Sequence, residues 1–228
     1  MASAKEIVPT VIGLVKPRSV VDLGCGVGGW LAAFLEAGVD DVTVYDGEWV
    51  HLDDLLIPQK SFRRHDLSKP LPVERVFDLA VSVEVAEHLR AECALPFVQT
   101  LTKLSNVVLF SAAIPFQGGT NHFNEQWPAY WAQLFAKNGF ATVDCLRMKF
   151  WNNPQVKWWY AQNIMLFVAE ARLADYSALM DAYRKENLWG VSLVHPKRWE
   201  KQADPRNLRF GRSIKQCFSV VARSFRKR

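Results

Sequence analysis

The stretch Val20-Val21-Asp22-Leu23-Gly24-Cys25-Gly26-Val27-Gly28-Gly29 decides how this chain reads. An apolar run opening at Ser19 has the look of a short buried strand, and it stops at Gly24. Glycine at a strand-to-helix turn reaches torsions closed to other residues and lets the backbone approach a ligand. The free N–H groups that open the following helix favour a carboxylate or a phosphate. Spacing bears on which ligand. A dinucleotide turn is Gly-x-Gly-x-x-Gly, whereas Gly24, Gly26 and Gly28 follow Gly-x-Gly-x-Gly behind an acid; Gly29 lets the dinucleotide register fit as well.

Outward from this turn, strands and helices alternate. Residues 30–38 have helical spacing, with Leu31, Phe34 and Leu35 on one face and Gly38 as the stop. Strands are expected at 42–45 (ending in Asp46), 61–65 (ending in Asp66), 76–83 and 106–113, with a crossover helix at 91–104. Pro128 suits a first helical turn, Trp127, Tyr130, Trp131, Leu134 and Phe135 share a face, and Asn138-Gly139 ends that helix. Strands at 140–146 and 164–169 and a helix at 176–188 follow. Seven strands among helices predict an α/β fold, a mostly parallel sheet with helices on both faces.

These landmarks resemble the class I S-adenosylmethionine-dependent methyltransferases, a Rossmann-like family. Its first motif, an acid followed by Gly-x-Gly-x-Gly, is matched by Asp22, Gly24, Gly26 and Gly28. The resemblance implies that this turn runs beneath the methionine part of S-adenosylmethionine. It also implies that Asp46, followed by Gly47, binds the ribose hydroxyls and that Asp66, followed by Leu67, receives the adenine amino group. Ser82, Val83 and Glu84 would then lie beside the methyl donor. Each acid has a plainer reading too: Asp46 before Gly47, and Asp66 before Leu67 and Ser68, are both good turn formers.

The chemistry is expected after the fourth and fifth strands, whose ends line one edge of such a sheet. If 84–88 is helical, Glu84, Glu87 and His88 face one way. With His122 from the later run Gly118 to Glu125, they form an oxygen-and-imidazole set suited to a divalent cation such as Mg²⁺ or Mn²⁺. The pattern is similar to the Glu-x-x-Glu-His metal site of small-RNA 3′-terminal 2′-O-methyltransferases. That resemblance implies a metal engaging a vicinal diol, although no matching RNA-binding segment surrounds the motif. His122, with His88 and Glu84, can equally be read as metal-free acid–base machinery. Residues 118–128 further resemble bacterial methyltransferases of saccharide and secondary-metabolite pathways, which implies a sugar hydroxyl as acceptor. Trp151, Trp158 and Trp159, in a Pro-containing connection, are candidates for a substrate wall, while Trp127, Tyr130 and Trp131 read as a buried helix stripe.

Bulk properties set the frame. The chain has 228 residues, half of them apolar and 22% charged, enough for one core. No apolar run reaches the roughly 18 residues of a membrane span, and the N-terminus has no signal-peptide pattern, so a cytoplasmic enzyme is expected. The four cysteines show no metal or disulfide spacing. Net charge is +5, yet residues 197–228 hold eleven Lys and Arg against two acids, which leaves the preceding 196 residues mildly acidic. The expected organisation is therefore a methyltransferase domain over 1–190 and a basic extension over 191–228. In that extension residues 213–228 can form an amphipathic helix for an anionic membrane surface, with nucleic acid the lesser partner.

Overall fold

The computed structural model describes residues 1–185 and 192–203. The chain divides into two compact units, Met1–Leu193 and Val194–Arg228. In the first, seven strands form one sheet: β1 (Ser19–Leu23), β2 (Asp41–Asp46), β3 (Phe62–Arg64), β4 (Leu79–Val83), β5 (Val107–Ser111), β6 (Phe140–Val143) and β7 (Met165–Ala169). Their order is β3-β2-β1-β4-β5-β7-β6. The first five run parallel, and β7 inserts antiparallel between β5 and β6. All seven expected strands are present.

Because successive strand residues face opposite sides, the buried strands supply two cores. Val20, Val44, Val81, Leu109 and Leu166 face one way and pack with α1 (Ala2–Val15), α2 (Gly29–Glu36) and α7 (Ser177–Lys185). The short helices α5 (Arg147–Phe150) and α6 (Trp158–Asn163) add Phe150 and Ala161 to this side. Val21, Ala80, Val108, Phe110 and Phe167 face the other way, onto α3 (Ala94–Leu104) and α4 (Pro128–Lys137). Phe135 of α4 stacks on Phe167 with ring centroids 3.8 Å apart and meets Phe110 edge-on.

Three local features bear on how the sequence reads. Residues 2–15 form a helix despite Pro9 in its interior. Burial of Ile7, Val8 and Val11 outweighs the missing N–H, and Lys5 ties the helix to Glu36 of α2 at 2.7 Å. Between β3 and β4 there is no helix: Pro70 and Pro72 interrupt that connection, and both lack the donor a helix needs. Trp127, expected on the buried stripe of α4, is the residue before its first turn and is half exposed, whereas Trp131 is buried. The helix expected at 176–188 runs to Lys185, and residues 186–188 lie outside the described residues.

In the second unit the described residues include a helix, α8 (Pro196–Ala203). The helix expected over 213–228 lies outside the described residues. Among the described residues no helix is long and apolar enough to cross a membrane.

The Phe135–Phe167 stack predicts a measurable cost. Phe135→Ala should lower the unfolding free energy in urea by about 3–5 kcal/mol, the range for truncating a buried aromatic. A loss under about 1 kcal/mol would show that the stack is not part of the tight core.

Candidate active site

Strand order reverses between β1 and β4, and at such a point the loops leaving adjacent strands diverge and open a crevice. The glycine turn leaves β1 here. Gly24 has φ 89°, and a Cβ on it would collide with both methyl groups of Val85, in the turn that leaves β4. Only glycine lets the two turns touch in this way. Asp46, at the end of β2, closes the other side. Its carboxylate accepts the N–H of Gly26 at 2.8 Å and that of Gly47 at 2.7 Å.

Asp46 is buried, which pushes its carboxyl above the usual range while the Gly26 and Gly47 amides pull it back. Asp22 lies deeper, with one carboxylate oxygen lacking any hydrogen-bond partner. Burial and then the charge of Asp46 push it well up. The same burial, with Asp22 and Asp46 beside it, pushes the Cys25 thiol up, so this cysteine is protonated rather than a nucleophile.

A cavity of about 460 Å³ runs from this turn towards the ends of β4 and β5. Gly24, Gly26, Asp46, Trp49 and Leu67 line one end; Glu84, Val85, His88, Leu89, Thr120, Asn121 and Phe123 line the other. The expected cofactor residues thus separate into two groups. Gly24, Gly26, Asp46 and Leu67 are on the wall, with Gly47 just behind, under the Trp49 ring. Asp66 is not. Its exposed carboxylate accepts the N–H and hydroxyl of Ser68 and pairs with Lys69, the turn-former reading, and the Ser68 hydroxyl in particular holds it below the usual range. Ser82 and Val83 stay buried inside β4, and Glu84 and Val85 take their place on the wall.

The segment 84–88 is not an α-helix. Glu84 has φ 58°, in the left-handed region, and a single tight turn of 3-10 type spans Ala86–His88. Glu84 consequently does not join a four-residue cluster. One of its oxygens accepts from Ser111 Oγ (2.9 Å) and Asn163 Nδ2 (3.1 Å), the other from Gln117 Nε2 (2.8 Å).

The groups that do converge are Glu87, His88 and His122, each bringing a donor atom within 4.8 Å of the others. Glu87 is fully buried, and neither of its carboxylate oxygens makes a well-formed hydrogen bond, the backbone N–H groups of Glu87 and Ala113 being close enough only to pull its carboxyl down a little. Burial, then the charge of Glu84, pushes its carboxyl up to about 9. The two imidazoles meet edge to face, with centroids 4.8 Å apart. Each is tied back through Nδ1: His88 to the Asn121 carbonyl at 3.2 Å, and His122 to Glu125 Oε1 at 2.9 Å. Nε2 is the nitrogen left with a lone pair on both rings. Burial, and then His122, pushes His88 below the ordinary histidine value, which favours the neutral ring a metal needs. A buried carboxylate without a well-formed hydrogen bond, beside two such imidazoles, is a ligand set that fits a divalent cation.

The β5–α4 loop seats this cluster. The N–H groups of Phe123 and Asn124 both donate to the Glu87 carbonyl, at 2.8 and 3.0 Å. His122 packs on Gly119 so closely that a Cβ there would collide with its Nε2. The expected tryptophan wall is absent from the cavity lining: Trp158 and Trp159 pack edge to face beside Tyr160, and Trp49 and Phe123 are the aromatic residues on the wall. Sequence reasoning missed Trp49 and Leu89, and it placed Val85, Thr120, Asn121 and Phe123 only as parts of the stretches 84–88 and 118–125. Trp49 carried a signal as an aromatic three residues beyond the strand-end acid Asp46.

This sheet order, with a glycine turn and an acid at the ends of β1 and β2, defines a Rossmann-like class I S-adenosylmethionine-dependent methyltransferase. The chain belongs to the methyltransferase-domain family, whose sequence profile matches residues 4–162. Similar solved structures include the methyltransferase domain of bacterial CtHen1 (18% identity, TM-score 0.55, covering 73% of this chain and 97% of that one). A second is magnesium protoporphyrin IX methyltransferase from Synechocystis PCC 6803 with bound S-adenosylmethionine (18%, TM-score 0.52, 73% and 79%). A third is the O-methyltransferase NcsB1 of neocarzinostatin biosynthesis (21%, TM-score 0.51, 68% and 50%). At these identities the likeness is one of fold. No curated protein sequence matches the chain.

The Glu87 environment predicts a pH signature. A native-state value near 9, above the ordinary 4.5, means the folded protein holds this proton more tightly than the unfolded chain. That contribution to stability is complete below about pH 4.5 and is lost as pH rises towards 9. In chelator, Glu87→Gln should melt close to wild type at about pH 5 and progressively higher than wild type from about pH 7 to 9. A difference in melting temperature that stays constant with pH would contradict the assignment.

Proposed function

We propose that this methyltransferase transfers its methyl group to a hydroxyl of a sugar or a sugar-containing molecule, assisted by Mg²⁺ or Mn²⁺ held by Glu87, His88 and His122. In this reading S-adenosylmethionine follows the cavity wall. Asp46 takes the ribose hydroxyls, Leu67 and Trp49 flank the adenine, and the Gly24–Gly26 turn, backed by Asp22 and Gly47, underlies the methionine part. The single observation that carries the reading is the buried carboxylate of Glu87, without a well-formed hydrogen bond, between two imidazoles already tied back through Nδ1.

A hydroxyl is a poor nucleophile until its proton is drawn away, and a bound divalent cation supplies Lewis acidity that makes this easier at neutral pH. The chain's own groups do the rest. Glu87 contributes the negative charge, and Nε2 of His88 and of His122 contributes neutral lone pairs. In the metal-free version of the scheme Nε2 of His122 would instead be open to accept the hydroxyl proton, leaving an imidazolium whose Nδ1–H is held by Glu125. Glu84, held by Ser111, Gln117 and Asn163, supports the floor between cofactor and acceptor.

A sugar suits this wall. Adjacent hydroxyls form a chelating pair of oxygens, and the face of Phe123, 68% exposed at the far end of the cavity, can stack on a sugar ring. The 3′-terminal ribose of an RNA offers the same pair, and the Glu-x-x-Glu-His spacing keeps that reading as the alternative. The acidic balance of residues 1–196 disfavours a polyanion at the body. We also propose that the basic segment from Lys197 onward brings the enzyme to the anionic, cytoplasmic face of a membrane, near lipid-linked glycans.

Methyl transfer to diol-bearing sugars and nucleotide sugars, before and after chelation, tests the acceptor class. Activity should vanish with chelator, return with Mn²⁺, survive ribonuclease treatment of the acceptor pool and yield a product that consumes less periodate than the acceptor. Glu87→Gln and His122→Ala should each lower the rate about 10²-fold. Asp46→Ala should weaken S-adenosylmethionine binding by about 10- to 100-fold, roughly 1.5–3 kcal/mol for lost charged hydrogen bonds. Full activity in chelator would remove the metal from the scheme, and a ribonuclease-sensitive acceptor would favour RNA.

A further inference from the structure

The loop between β5 and α4 carries His122, and one side chain organises it. Glu125 accepts three hydrogen bonds within nine residues of chain: from the backbone N–H of Phe116 at 2.7 Å, the N–H of Gly118 at 2.9 Å, and His122 Nδ1 at 2.9 Å. The first two fix a segment that local preference would not hold, since Phe116 sits at φ 65° and its ring is 77% exposed. The third fixes a ring. An ionised carboxylate can only accept, so His122 Nδ1 carries the proton and Nε2 carries the lone pair.

Gly119 and Glu125 hold His122 from two sides. A Cβ at 119 would occupy the place of Nε2, so the ring lies flush on the backbone there, while Glu125 anchors its opposite edge. The loop is also docked from below, where Phe123 and Asn124 donate to the Glu87 carbonyl. His122 therefore cannot turn its ring without breaking the Glu125 bond.

We propose that Glu125 is a positioning residue that fixes the tautomer and orientation of His122, so that Nε2 is presented to Glu87 and His88. Its role in cation binding rests on the reading that these three residues hold a divalent metal; its role in setting the ring does not. Outer carboxylates of this kind typically alter metal affinity by about 10- to 100-fold when removed.

The test uses the full chain, with Glu125→Gln and Glu125→Ala. The gentler Gln variant keeps an oxygen for the loop amides, and it carries the test if the Ala variant fails to fold. The first readout is the ¹⁵N chemical shifts of the His122 ring in metal-free, histidine-labelled protein, followed across pH to the plateau where they stop changing, the signal being assigned by its loss in His122→Gln. Wild type should show the Nδ1-protonated tautomer, and the variants a shift towards Nε2-protonated. The second readout is Mn²⁺ affinity from the electron paramagnetic resonance of free Mn²⁺, expected to fall about 10- to 100-fold in Glu125→Ala and less in Glu125→Gln. A tautomer shift in the variants of a protein whose wild type binds no Mn²⁺ would support Glu125 and defeat the metal reading. An unchanged tautomer in Glu125→Ala, or in Glu125→Gln where only that variant folds, would overturn the proposal, whatever the Mn²⁺ result.

Discussion

The close approach of Gly24 to Val85 is the constraint on which the site is built. A glycine with φ 89° at the end of β1 admits the two methyl groups of Val85 into the space a side chain would fill. That contact joins the turn leaving β1 to the turn leaving β4, neighbours in the sheet although far apart in sequence. The cavity begins on one side of it, among Gly26 and Asp46, and continues on the other, among Glu84 and His88. Any side chain at position 24 would pry the two apart, so the glycine-turn wall and the acid–imidazole cluster form one unit.

Charge gives that unit its character. Asp22, Asp46, Glu84 and Glu87 are four carboxyl groups in or under one cavity, all pushed up chiefly by burial. Among the described residues no Lys or Arg is on the cavity lining. A low-dielectric pocket with this composition binds cations well, because each arriving positive charge relieves carboxylates that otherwise hold protons. A sulfonium cofactor and a divalent metal both answer that description, and they would occupy opposite ends of the same space.

How much of this was legible in the sequence varied with how local the cause was. The glycine turn, the seven strands and Asp46 announce themselves through short-range pattern: apolar runs, turn glycines and strand-end acids. The helix α1 did not, because Pro9 and Gly13 both argue against it and only the tertiary packing of Ile7, Val8 and Val11 outweighs them. Asp66 matched a cofactor position by order along the chain, yet Ser68 two residues on offers its carboxylate a nearer partner. Glu84, Glu87 and His88 have helical spacing, but the left-handed backbone at Glu84 gives a tighter turn that divides them. His122 was visible as a residue type. Its partner Glu125 was not, since nothing in a linear sequence says that one carboxylate collects three donors from a folded loop.

The most direct measurement places the two ends of the cavity relative to each other. S-adenosylmethionine carrying a ¹³C-labelled S-methyl group is bound to the protein, and the methyl signal is followed as Mn²⁺ is added. Strong paramagnetic broadening in wild type, relieved in Glu87→Ala, is the result expected of a metal seated at Glu87, His88 and His122 beside the methyl donor. A bound methyl signal indifferent to Mn²⁺, or broadened equally in both proteins, would contradict a single site that joins cofactor and metal.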